Sequence, residues 1–159
     1  MENKKSHAER AVELFLADYN CAQAVFGAFC DVTGMDFETA MKLSSSFGGG
    51  MGRMREVCGA VSAMFMVTGL LYGYGDTGEG GAKAEHYKRI QALADEFKAE
   101  HGSIICRELI ASLKKDTSPT PEARTEQYYK ERPCAAFVRC AAEVMDRLIA
   151  ETEAKTKEN

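Results

Sequence analysis

Val57-Cys58-Gly59-Ala60-Val61-Ser62-Ala63-Met64-Phe65-Met66-Val67-Thr68-Gly69-Leu70-Leu71-Tyr72-Gly73-Tyr74 contains no charged residue, and its length is one at which a membrane span has to be considered. Its small and polar members, Gly59, Ser62, Thr68 and Gly69, and the glycine-rich segments on both sides predict a different placement. The stretch is expected to be the buried central helix of a bundle. Upstream lies Ser44-Ser45-Ser46-Phe47-Gly48-Gly49-Gly50-Met51-Gly52, where each glycine costs a helix about 1 kcal/mol relative to alanine. A bent loop is expected there, with a second flexible loop over Gly73 to Gly81.

Outside this stretch, apolar residues recur at the 3.6-residue period, and alternation of the strand type is hard to find. Ala8, Ala11, Val12 and Phe15 form a first stripe; Cys21, Val25, Ala28, Phe29 and Val32 form a second, closed by Gly34. A third runs from Asp36 to Leu43. After the central helix come stripes over Ala84 to Phe97, ending at Gly102, over Cys106 to Leu113, and over Phe137 to Ile149 behind Pro133. The expected class is all-α, a bundle of about six to seven helices. It forms one helical domain over residues 1–159, with its core at about 8–150. Residues 116–132, with Pro119 and Pro121, read as a polar linker holding one short helix around 123–129. Residues 152–159 read as a frayed tail.

The 45% hydrophobic and 28% charged composition is that of an ordinary globular chain, large enough to hold a core without disulfides. The net charge of −4, with basic residues scattered among acidic ones, argues against nucleic acid as a partner. Glu13 interrupts the apolar run from Ala11 to Leu16, so no signal-peptide core is expected there. A cytoplasmic location follows as the expectation. In that reducing compartment, six cysteines point to metal or redox chemistry more than to static bridges.

Four of the six mark helix starts. Cys21 follows Asn20, Cys106 lies three residues after Ser103, Cys134 follows Pro133, and Cys58 opens the central helix. The positive end of a helix favours a thiolate. If helices joined by short loops alternate in direction, the starts of the second, fourth and sixth share one end of the bundle, and the 116–132 segment is long enough to bring Cys134 there. Each of the four also lies on its helix's apolar stripe. A pocket of four thiols is expected, with Cys30 and Cys140 left as small core residues, although Cys30 is not excluded from it. Gly49, Gly50 and Gly59 are expected to support the sulfurs by letting backbone approach them closely. The glycine loop also has a weak likeness to a phosphate nest, with Arg53 and Arg55 supplying charge, but no strand precedes it. His7 and His86 read as solvated, and His101 as an outer group near Cys106.

Tyr19-Asn20-Cys21-Ala22-Gln23-Ala24-Val25, Phe47-Gly48-Gly49-Gly50-Met51-Gly52 leading to Val57-Cys58-Gly59-Ala60, Cys106-Arg107-Glu108-Leu109 and Cys134-Ala135-Ala136-Phe137-Val138 together resemble the C-GCAxxG-C-C family of redox-active proteins. The resemblance covers about residues 8–150 and implies that the family's signature cysteines are Cys21, Cys58, Cys106 and Cys134. Two positions depart from the family pattern, Ala63 where a glycine is expected and Ala135 where a proline is. The resemblance implies electron transfer or metal handling and names no substrate.

Three functions compete on this reading. In the first, the four cysteines hold an iron–sulfur cluster or another thiolate-bound metal, and the protein serves a redox partner protein; membrane partners are not expected, and a homo-oligomer is compatible. In the second, the protein is a metal-free thiol oxidoreductase with Cys58 as nucleophile. The third is a helical interaction module with idle cysteines, supported by Met51, Met54, Met64 and Met66.

Overall fold

The computed structural model describes residues 3–113 and 116–159. Nine helices follow one another among them: α1 (His7–Leu16), α2 (Cys21–Ala28), α3 (Cys30–Thr33), α4 (Phe37–Ser44), α5 (Gly59–Tyr72), α6 (Ala82–His101), α7 (Cys106–Leu109), α8 (Glu126–Glu131) and α9 (Cys134–Glu158). Six have eight or more residues, and α3, α7 and α8 are short. The one strand-like pairing among the described residues is an antiparallel bridge between Val57 and Ile105. The protein is all-α.

The charge-free segment is the core helix that its composition predicts. α5 is buried from Gly59 through Met64 and again at Val67 and Thr68, with α2, α6 and α9 packed on it. An ionised side chain on such a helix carries a desolvation cost of several kcal/mol, which accounts for the absence of charge. At 14 residues it falls short of the roughly 20 that a span requires, and no described helix is long and apolar enough to cross a membrane. Phe26, Phe29, Met64, Phe97 and Met145 are fully buried around it, each contributing on the order of 1.5–3 kcal/mol through burial.

Local signals set most of the boundaries. Ser6 with Glu9 and Asn20 with Gln23 form capping boxes at α1 and α2, and Asp36 and Thr125 cap α4 and α8. Such side chains satisfy N–H groups that the first turn leaves free. Gly34 and Gly102, both left-handed, end α3 and α6.

Several elements differ from the expectation. The second stripe is two helices, broken at Phe29 (φ −103°, ψ 10°), so Cys30 begins α3 where a mid-helix position was expected. Phe29 is fully buried and its ring stacks on His7 at 4.2 Å, so tertiary packing prevails over helical continuity. His7 is accordingly no solvated residue: Nδ1 lies 2.5 Å from Asp146 and Nε2 3.0 Å from Asp31, tying α1 to α9 and α3. α7 is a single turn, and Ile105 stands at its N-cap where Ser103 was expected. Ser103 Oγ accepts instead from the Ile105 N–H and pairs with Glu108. The short helix in the linker is shifted to Glu126–Glu131. The expected frayed tail is helical as far as Glu158, because 151–158 is rich in helix-forming Glu, Ala and Lys and the Thr152 hydroxyl bonds back to the Leu148 carbonyl.

Asn20 connects this local chemistry to the placement of Cys21. Its Oδ1 accepts from the Gln23 N–H at 2.9 Å, and its Nδ2 donates to the Ser45 carbonyl at 3.1 Å. Asn20→Ala is expected to lower stability by about 1–2 kcal/mol, read as a lower urea midpoint with an unchanged slope. An unchanged midpoint contradicts the capping role.

Candidate functional site: a buried four-cysteine pocket

The starts of α2, α5, α7 and α9 meet at one cavity of about 60 Å³, room for a few waters or a small inorganic group. Cys21, Cys58, Cys106 and Cys134 all line it, together with Gly49, Gly59, Arg55, Arg124, Tyr128, Arg132 and Phe137. All six cysteines are free. Cys30 lies outside this lining, its sulfur 3.8 Å from the Phe26 carbonyl.

Three backbone features place the sulfurs. The Val57–Ile105 bridge holds two of them: the Cys58 N–H donates to the Ile104 carbonyl at 2.8 Å and the Cys106 N–H to the Glu56 carbonyl at 2.6 Å. Gly59 brings α5 against α2 so closely that a Cβ there would lie 2.5 Å from Cys21 Sγ and 2.7 Å from the Phe47 carbonyl oxygen. The glycine loop forms a left-handed turn, with Gly49, Gly50, Met51, Gly52, Arg53 and Arg55 all at φ between 59° and 68°. At Gly50 a Cβ would meet Cys106 Cβ at 2.7 Å. The loop therefore supports Cys106; Gly49 lines the cavity and packs on Arg53.

Electrostatics reverses one expectation. Burial pushes the Cys58 thiol well up, and the neighbouring Cys21 and Cys134 sulfurs add to it; the Val61 and Ala60 N–H groups of the first turn oppose it and lose. Burial likewise raises Cys134 to about 12, with Cys21 adding and Arg132 opposing. Cys106 is raised by burial and drawn back by Arg55, whose Nη1 donates to Cys106 Sγ at 3.9 Å. Desolvation outweighs the helix ends here. At 5% exposure and with its thiol raised, Cys58 is a weak nucleophile.

Arg124 and Arg132 are the part that the sequence reading missed, and Arg55 was read only as charge for an anion nest. Arg55 is 4% exposed, and its Nε and Nη2 donate to the Asp116 carbonyl. Arg124 donates to the Phe15 and Tyr19 carbonyls and lies over Tyr128, as does Arg132. The segment read as a linker thus lines the thiol cavity with two guanidiniums and a ring. The spacing of Arg124, Tyr128 and Arg132, four residues apart each time, was a signal for one shared face. The methionines do not form the surface group that an interaction module needs, since Met64 is fully buried and Met54 is 60% exposed. His101 packs on Phe97 and on Phe137, which lines the cavity.

A helical protein with four free cysteines converging on one cation-rimmed cavity defines the class. Residues 19–148 match the model of the family described as "Putative redox-active protein (C_GCAxxG_C_C)", and the chain belongs to that family. No curated protein and no solved structure matches it.

Proposed function

We propose that Cys21, Cys58, Cys106 and Cys134 bind an iron–sulfur cluster and that the protein exchanges electrons through it with a redox partner protein in the reducing cytosol. The observation that carries this reading is the convergence of four free thiols from four separate helix starts on one cavity beside Arg55, Arg124 and Arg132.

The donor set fits such a group. Thiolates are the ligands of iron–sulfur clusters and of other soft metals. Four thiols lining one cavity match the four-cysteine ligation of iron–sulfur clusters. When bound, a cluster supplies a one-electron couple. The chain's own residues would do the rest: the raised thiols would lose their protons to solvent as the metal takes their place, so affinity would rise with pH. Arg55, Arg124 and Arg132 offset the negative charge that remains. The buried Gly59 and Phe137 line the cavity on its apolar side.

Anaerobic reconstitution with ferrous iron and sulfide tests the reading by absorption, electron paramagnetic resonance and metal analysis. A sulfur-to-iron charge-transfer band with bound iron and sulfide is expected, and Cys106→Ser is expected to lower iron retention at least about tenfold. A colourless, metal-free protein that shows a reversible dithiol potential overturns it in favour of thiol–disulfide chemistry.

A further inference from the structure

Outside the lining of the thiol cavity, Glu100 and His101 close α6, and Cys140 faces them from the second turn of α9. One ligand atom from each of the three lies within 4.8 Å of the other two. The buried Cys140 thiol donates to Glu100 Oε2 at 2.9 Å. His101 is fixed by rings, tilted on Phe97 at 4.9 Å and edge-on to Phe137 at 4.8 Å. Its Nε2 is buried and has no hydrogen-bond partner among the described residues. A buried polar atom left this way costs about 1–3 kcal/mol. A core cysteine bonded to a carboxylate explains the first contact and leaves the imidazole unexplained.

We propose that Glu100, His101 and Cys140 form a second metal site, for zinc or another divalent ion of borderline softness. One sulfur, one imidazole nitrogen and one carboxylate oxygen are all zinc donors, and three protein ligands leave a fourth position for water or another small ligand. Glu100 is exposed, so that position opens toward solvent. The last turn of α6 adds the negative end of its dipole, which favours a cation. Glu143, which acts on Cys140 together with Glu100, adds a second negative charge, and Arg147 opposes them. Tetrahedral zinc bonds place such ligands about 3.5 Å apart, and the three atoms here lie within 4.8 Å of one another. Loading is an exchange with no electron transfer: the Cys140 S–H bond breaks, a sulfur–metal bond forms, and the proton leaves to solvent. The bound ion clamps the end of α6 to α9.

Cobalt(II), titrated into the metal-free full-length Cys106→Ser protein, reads this site with the thiol cavity weakened. One cobalt with the charge-transfer intensity of a single thiolate is expected. Glu100→Gln, an exposed change that leaves the core alone, weakens binding by at least about tenfold, and His101→Gln by more than about 100-fold. Cys140→Ser removes the charge-transfer band. If Cys140→Ser fails to fold, the two other variants decide. Unchanged cobalt affinity in both Glu100→Gln and His101→Gln overturns the proposal, as does a spectrum that shows only multi-thiolate cobalt.

Discussion

Gly59→Ala is expected to lower stability by about 2–3 kcal/mol and to release the metal centre proposed above, although alanine is the better helix former. At this position a Cβ meets Cys21 Sγ at 2.5 Å, the Phe47 carbonyl oxygen at 2.7 Å and the Ala22 nitrogen at 3.1 Å. The sulfur can rotate away, which removes one ligand from the cavity. The carbonyl and the amide nitrogen are backbone, so relief there means separating the starts of α5 and α2. The propensity gain of about 1 kcal/mol is the smaller term. Gly69→Ala in the same helix is the control: nothing lies within 4 Å of its Cβ, and a gain of about 0.5–1 kcal/mol is expected. Urea midpoints and iron content of the two variants check the pair. Equal midpoints contradict the close approach of α5 to Cys21.

Arg55→Met is the second large effect. The guanidinium is buried, donates twice to the Asp116 carbonyl and reaches Cys106 Sγ. Methionine keeps much of the stem's packing and removes the charge, so the loss is expected to be about 1.5–3 kcal/mol, from the charge-assisted hydrogen bonds given up. The chemical consequence is sharper. Burial raises the Cys106 thiol and Arg55 is the largest influence opposing it, so without the cation the thiolate forms at higher pH. Alkylation of Cys106 in the metal-free protein, located by peptide mass, is expected to slow by roughly tenfold near pH 8, with its pH profile moved upward. A profile that stays in place assigns Arg55 a packing role alone.

The helices were legible in the sequence because their signals are local. A charge-free run flanked by glycines, the cap at Asn20 and apolar stripes each depend on a few neighbouring residues. The break at Phe29 and the shortness of α7 were not legible, because a ring stacked on His7 and a bridge to Val57 decide them from a distance. The convergence of the four cysteines followed from helix starts and bundle parity, and the family resemblance selected the same residues. Their protonation did not follow. The helix-end argument weighs one favourable field, whereas the depth of Cys58 and Cys134 is a property of the assembled core. Arg124 and Arg132 were hidden for a related reason: between prolines a charged segment reads as solvated, and only the folded chain shows that it roofs a cavity.

The order of the ligands along the chain also bears on synthesis. Three of the thiols precede residue 107, while the fourth opens α9, which packs against α1, α2, α5 and α6. During translation at roughly 5–20 residues per second, an emerging chain carries three of the thiols for some seconds before the fourth exists. On the proposed cluster reading, a chain stalled in that interval is an incomplete chelator, exposed to oxidation and to scavenging of the wrong ion.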